Sequence, residues 1–172
     1  GNLIPDYFGG LTNRFSYKGF ELTVLLTYQY GNRVYNFNRF ILEGGGARDA
    51  SRSMLKSQLN RWQKPGDITD VPRLTFFGNN YAIEQNSRFL EDASFLRVKS
   101  VTLGYNLPEK IISKTGLRKV RLYALGTNLW IITKYTGADP ESSGSALQNR
   151  QGLDTATPPQ PVGIQFGANI SF

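Results

Sequence analysis

An all-β, antiparallel transmembrane barrel is the fold this sequence predicts. Three observations carry it: apolar and polar residues alternate over bilayer-spanning lengths, aromatic rings sit at strand ends, and connections alternate short and long. No stretch approaches the roughly 20 uninterrupted apolar residues that a membrane-crossing helix needs, and mean hydropathy is −0.35. A barrel strand shows lipid only every second side chain, so modest hydropathy is compatible with crossing.

In chain order, residues 10–17 put Leu11, Asn13, Phe15 and Tyr17 on one face, opposite Thr12, Arg14 and Ser16. Lys18-Gly19 predicts a tight turn. Residues 20–30 then carry Phe20, Leu22, Val24, Leu26, Tyr28 and Tyr30 on one face, with Glu21, Thr23, Leu25, Thr27 and Gln29 on the other. Aliphatic residues fill the middle of that apolar face and rings close both ends, the order that two membrane–water interfaces select. Residues 95–107 place Val101, Leu103, Tyr105 and Leu107 in one phase but Leu96 and Val98 in the other; a β-bulge near Lys99-Ser100 reconciles them. Residues 118–130 alternate less cleanly, with Val120, Leu122 and Ala124 outward and Arg121 and Tyr123 inward. The last strand reads Val162, Ile164, Phe166, Ala168, Ile170 and Phe172 against Gly163, Gln165, Gly167, Asn169 and Ser171. Its length of about 11 residues suits a tilted crossing.

The connections at Lys18-Gly19 and at residues 108–117 are short; those at residues 36–94 and 133–161 are long. Outer-membrane barrels have short periplasmic turns and long external loops. With Phe172 periplasmic, both long segments fall outside and both short ones inside. Within the first long segment, Met54, Leu55 and Leu59 at helical spacing predict a short helix in residues 49–62, approached by Gly44-Gly45-Gly46. The turn at residues 108–116 predicts one helical turn stopped by Gly116.

Composition narrows the chemistry. The 172 residues include neither Cys nor His. Disulfides, thiolate or imidazole metal sites and Ser–His–Asp or Cys–His catalysis are thereby excluded within this chain, and no cofactor or metal is expected. The net charge of +7 raises nucleic-acid binding, but Lys and Arg are spread from Arg14 to Arg150 with no dense run. Scattered charge gives no focused field, so solvated loops, a polar interior and contacts to anionic lipopolysaccharide are preferred and no nucleic acid is expected. Five strands cannot close a membrane barrel, whose smallest members have about eight. An open edge in lipid leaves unpaired amides. The chain opens at Gly1 without an initiator Met or a signal-like apolar run, and is expected to be one piece of a larger barrel.

Several runs resemble a known family. Gly9-Gly-Leu-Thr-Asn-Arg-Phe-Ser-Tyr-Lys-Gly-Phe-Glu-Leu22 and Ser87-Arg-Phe-Leu-Glu-Asp-Ala-Ser-Phe-Leu-Arg-Val-Lys-Ser-Val-Thr-Leu-Gly-Tyr-Asn-Leu-Pro108 resemble late barrel strands of the SusC/RagA family of TonB-dependent transporters in Bacteroidota. Asn128-Leu-Trp130, Lys134-Tyr-Thr-Gly-Ala-Asp-Pro-Glu141, Pro159-Gln-Pro161 and the terminal Phe172 are similar too. The resemblance implies that residues 1–172 are the C-terminal part of a barrel domain of about 22 strands, of which these would be the last five. The plug domain and N-terminal strands would lie elsewhere in the protein. It also implies a SusD-like surface lipoprotein as lid, TonB contact through an absent N-terminal region, and energy-dependent import of oligosaccharides or oligopeptides across a Gram-negative outer membrane.

Candidate site residues follow from placement. Trp62, Phe76, Phe77, Tyr81, Trp130 and Tyr135 fall in or beside the external loops and are candidates for stacking on glycan or covering peptide cargo; girdle or loop packing is the plainer reading. Inward Arg97, Lys99, Arg121 and Gln165 are candidates for lining the lumen. Phe172 resembles the terminal signal read by the barrel-assembly machinery. The carboxylate pairs Glu91-Asp92, Asp139/Glu141 and Asp67/Asp70 read as solvated loop charge: neighbours on a strand face opposite ways and cannot form a glycosidase pair. No catalytic residue is expected. The rival readings are a passive porin or autotransporter barrel, a soluble β-sandwich carbohydrate-binding module, and an outer-membrane lipase or protease.

Overall fold

A computed structural model describes residues 1–43, 53–74, 86–113, 116–142 and 151–172. Among them, no helix is long and apolar enough to cross a membrane. Five long strands form one antiparallel sheet: β1 (Tyr7–Tyr17), β2 (Phe20–Tyr30), β5 (Phe95–Asn106), β6 (Lys119–Thr133) and β8 (Gly163–Ser171), in spatial order β1-β2-β5-β6-β8. A second, three-stranded sheet of order β4-β3-β7 joins β3 (Arg33–Asn36), β4 (Leu90–Asp92) and β7 (Leu153–Asp154). A short helix, α1 (Phe37–Leu42), continues directly from β3.

The chain divides into two compact units. The wall unit comprises Pro5–Gly31, Ser94–Lys134 and Pro159–Phe172; the loop unit comprises Gly1–Ile4, Asn32–Ala93 and Tyr135–Pro158. Thus both long connections, with the segment before β1, build the loop unit.

Directly paired residues in antiparallel strands share a face, so register assigns the sides of the wall. Phe15, Leu22, Leu103, Ala124 and Phe166 form one row across all five strands; Asn13, Val24, Val101, Gly126 and Ile164 form the next. Leu11, Leu26, Val98 and Trp130 come after these, then Gly9, Tyr28, Leu96 and Ile132. Tyr17, Phe20 and Tyr105 close one end of this face, and Tyr7 and Tyr30 the other. Phe20 and Tyr105 have ring centroids 4.4 Å apart. Alternation in single strands therefore adds up to one continuous apolar surface with rings at both margins. Most of its large side chains are exposed, Phe15, Ile164 and Phe166 among them. Water penalises such a face heavily, whereas lipid solvates it.

The expected bulge is present. Leu25 pairs with Ser100 and Leu26 with Val98, so the register skips Lys99 and brings Leu96 and Val98 onto the apolar face. On β6, Thr127 pairs with Ser100 and Trp130 with Val98, so two residues, Asn128 and Leu129, are passed over. Asn128 takes φ 52° there. One extra residue flips the phase of a strand and two restore it, which is why β6 keeps its even-numbered residues outward throughout.

Several strand limits differ from expectation by one to three residues. β1 starts at Tyr7 rather than residue 10, because Tyr7 and Phe8 still have partners in Tyr30 and Gln29. β6 runs on to Thr133, which pairs with Phe95. β8 begins at Gly163 rather than Val162. Helical content in the first long connection is smaller than its spacing suggested. Residues 44–52 lie outside the described residues, and the remainder of the expected helix is a single 3-10 turn, Lys56–Asn60, whose buried residue is Gln58 while Leu59 is 70% exposed. The predicted turn after β5 is α2 (Glu109–Ile112), with Ile112 buried and Gly116 at φ 75°.

Lys18 and Gly19, at φ 45° and 87°, make the predicted two-residue hairpin turn with both central residues left-handed. A Cβ on Gly19 would lie 2.9 Å from the Asn106 carbonyl oxygen, and the same glycine's carbonyl accepts from the Asn106 amide at 2.8 Å. Gly19→Val is therefore expected to cost roughly 1–3 kcal/mol, the range for a non-glycine residue held in a disfavoured region. Denaturant unfolding of the full-length barrel in detergent measures it; an unchanged midpoint would refute the turn geometry.

Candidate functional site

The opposite face of the wall is polar. Its rows include Arg14, Thr23, Thr102, Leu125 and Gln165, then Thr12, Leu25, Ser100, Thr127 and Gly163, then Gly10, Thr27, Arg97 and Ile131. Arg97, Arg121 and Gln165 lie on this polar face. Lys99 is the residue the register skips, so pairing does not assign it to this side. Arg97 is 3% exposed, with its guanidinium 5.8 Å from the Phe95 ring centre. Arg121 bonds Glu21 Oε2 at 3.1 Å, while Asn106 donates to Glu21 Oε1 at 2.8 Å. Tyr123 lies over Gly167, whose missing side chain makes room for the ring. Charge-paired, hydrogen-bonded side chains on one face and hydrocarbon on the other are what a wall between water and lipid requires.

Phe8 escaped the sequence reading. It sits on the polar face opposite Gln29 and is 75% exposed. Its signal was available, since extending the alternation of β1 by three residues assigns it there.

The loop unit is organised by shielded charge. Asn36 caps α1 by accepting from the Arg39 amide at 2.8 Å. Arg39 then reaches Glu43 at 2.8 Å and Glu91 at 3.1 Å, and Arg88 bonds Glu43 at 2.9 Å. Burial opposes the Arg39 charge, but hydrogen bonds and attraction from Glu91 and Glu43 more than offset it and raise its pKa. For Arg88 burial wins and lowers the pKa, with Glu43 acting against it. Glu91 also accepts from the Thr136 amide and hydroxyl, each at 2.8 Å, joining the first long connection to the second. Glu91 and Asp139 were expected as solvated loop charges. Asp139 is instead buried and the Glu91 side chain only 9% exposed, because hydrogen bonds replace the water each carboxylate gives up. Rings of Tyr35, Phe37, Phe40 and Phe89 pack together, with the Arg88 guanidinium 5.0 Å from the Phe89 ring centre.

The predicted cargo aromatics are not brought together. Tyr135 is 6% exposed, packs with Val34 and Ala93, and donates its hydroxyl to Asp154 at 2.5 Å. Burial first, and that bond second, push its pKa above the ordinary tyrosine range. This ring holds the loop unit together, which corrects the expectation that it faces cargo. Trp130 is 63% exposed on the apolar face, level with Leu11, Leu26 and Val98, so it is a lipid-facing ring rather than a cargo contact. Trp62 is half-buried, its amide bonded to the Val71 carbonyl at 2.9 Å. Phe76, Phe77 and Tyr81 lie outside the described residues. Phe172 is exposed just beyond β8.

Comparison with known proteins agrees with this geometry. No protein-family model matches the chain. The TonB-dependent receptor P3 of Formosa agariphila is 34% identical over 177 residues, covering 100% of this chain and 17% of the receptor. The TonB-dependent receptor SusC of Bacteroides thetaiotaomicron is 28% identical over 170 residues, covering 97% of this chain and 15% of SusC. Among solved structures, a chain of the RagAB peptide importer in its open-open state superposes with a TM-score of 0.82 at 30% identity, covering 98% of this chain and 17% of that one. The chain thus spans about a sixth of the length of these relatives. A two-faced five-stranded sheet, an elaborated loop unit and these likenesses converge: the chain is a SusC/RagA-like segment of an outer-membrane TonB-dependent receptor barrel.

Proposed function

We propose that this chain supplies wall strands and two external loops to an energy-dependent importer of oligosaccharides or oligopeptides. It forms the C-terminal part of the barrel domain, with its end in the periplasm and with plug and N-terminal strands elsewhere in the protein. A SusD-like surface lipoprotein acts as lid, and TonB drives transport through the N-terminal region. No step calls for a catalytic residue. The continuous apolar face backed by a polar one carries the reading, and the names of the relatives, receptors and a peptide importer, support it. Within it, Arg97, Lys99, Arg121 and Gln165 line the lumen together with Phe8. Trp62, with Phe76, Phe77 and Tyr81, supplies cargo contacts, and Phe172 is read by the assembly machinery.

Uptake in cells producing the full-length protein tests this. Import of labelled oligopeptides or oligosaccharides is expected to stop when the proton-motive force is collapsed or TonB is depleted. Uptake that persists under both treatments would make the protein a passive porin.

A further inference from the structure

We propose that the margin of the apolar face at the β1–β2 and β5–β6 turns binds an anionic phospholipid headgroup of the phosphatidylglycerol class. This rests on the reading above, which places both turns in the periplasm and so beside the inner leaflet. The two turns meet: the Gly19 carbonyl accepts from the Asn106 amide at 2.8 Å. Tyr17, Phe20 and Tyr105 close the apolar face there, and Ile170 and Phe172 are exposed at the same end of β8.

Two cations stand at the edge of this ring-lined band. Lys18 holds its ammonium 5.2 Å from the centre of the Tyr17 ring, a ring of the apolar face, so its charge lies on the lipid side of the turn. Arg118 precedes Val120 by two residues, and Val120 pairs with Ile170 on the apolar face. Alternation puts Arg118 on that side too, where its amide extends the ladder to the Ser171 carbonyl at 2.9 Å. Both side chains are exposed, and neither forms an ion pair.

The charge balance of this end favours an anion. The α2 turn adds exposed Lys110 beside exposed Glu109. Residues 114 and 115, outside the described residues, are Lys and Thr, so they bring no carboxylate. Glu21 is on the polar face, held by Arg121 and Asn106. Even with a carboxylate at Phe172 counted beside Glu109, Lys18, Lys110, Lys114 and Arg118 remain in excess. Cations just past an aromatic girdle sit at headgroup depth, where acyl chains cover the rings and a phosphate meets the charge. A zwitterionic headgroup carries its own ammonium and answers such a margin less well.

Native mass spectrometry on the full-length protein in detergent counts bound lipid with no transport step. Dioleoyl phosphatidylglycerol and dioleoyl phosphatidylcholine, alike in their chains, are the probes, and the first is expected to bind in preference. Lys18→Gln with Arg118→Gln should lower that preference by about fivefold for each cation removed. Lys18→Arg with Arg118→Lys should retain it. Lys119→Gln removes an equal charge from the polar face, where Lys119 pairs with Ser171, and should leave the preference unchanged. Equal binding of the two lipids, or a preference that ignores the double change or falls as much with Lys119→Gln, overturns the site. Sidedness is read separately: a membrane-impermeant maleimide should spare Lys18→Cys in intact cells and label it once the outer membrane is permeabilised. Labelling in intact cells would sink the periplasmic reading and hand the margin to lipopolysaccharide. A protected Lys18→Cys without lipid preference would sink the headgroup site alone.

Discussion

Leu26→Arg is expected to destabilise the full-length barrel by about 2–4 kcal/mol, the cost of a cationic side chain on the lipid face near the bilayer midplane. Leu25→Arg, one residue away, should cost less than about 1 kcal/mol. Leu26 shares its face with Leu11, Val98 and Trp130, four hydrocarbon-rich side chains in one row. Leu25 points the other way, between Thr12 and Ser100. Depth supplies a second contrast on the same strand. Tyr30→Arg, in the ring-lined margin opposite Tyr7, should cost only about 0–1 kcal/mol, since a cation there reaches the headgroups. Unfolding of the full-length protein from lipid vesicles by denaturant measures all three. Equal costs for Leu25→Arg and Leu26→Arg, or a harmless Leu26→Arg, would mean that neither face of the wall meets lipid.

That contrast was visible in the sequence because a strand has a period of two, and four of the five wall strands could be phased from single residues. Even the bulge was legible: Leu96 and Val98 stood out of phase with Val101 and Leu103, and Lys99 is where the register slips. Parity also put Trp130 on the side of Leu122 and Ala124, where it lies, so its candidacy as a cargo contact ignored a signal already present. The loop unit was a different matter. Its strands have four, three and two residues, too short for alternation to register. Tyr35 pairs with Leu90 on one side and Leu153 on the other, partners distant in sequence. Nothing local marks such contacts. For the same reason Tyr135 looked like an exposed loop ring: its burial depends on Asp154, 19 residues on, and on Val34 and Ala93 from the other connection. Shielded carboxylates are equally hard to foresee, since the partners of Glu91, Arg39 and Thr136, lie 52 and 45 residues away in sequence.

Glu91→Ala tests whether that unforeseen network organises the loop unit. Glu91 sits in β4 and accepts from Arg39 and Asn36 of the first long connection and from Thr136 of the second. Its side chain is 9% exposed and that of Arg39 is 19% exposed. Removing the carboxylate leaves Arg39 with Glu43, which Arg88 already engages, and with Asp70 at 3.9 Å, whose side chain is exposed, so its charge loses the well-shielded partner it did not have to share with Arg88. Breaking a buried pair in this way costs roughly 3–5 kcal/mol. Glu91→Gln should cost less, because an amide oxygen still accepts from Thr136 and Asn36. The loss belongs to the loop unit, since the wall is held by its own ladder from β1 to β8. Amide hydrogen exchange on the full-length protein should therefore accelerate in residues 32–43, 86–93 and 135–142 while β2, β5 and β6 keep their protection. Unchanged exchange in the loop segments would strip Glu91 of this role. Loss of protection in loop and wall together would show that the two units melt as one.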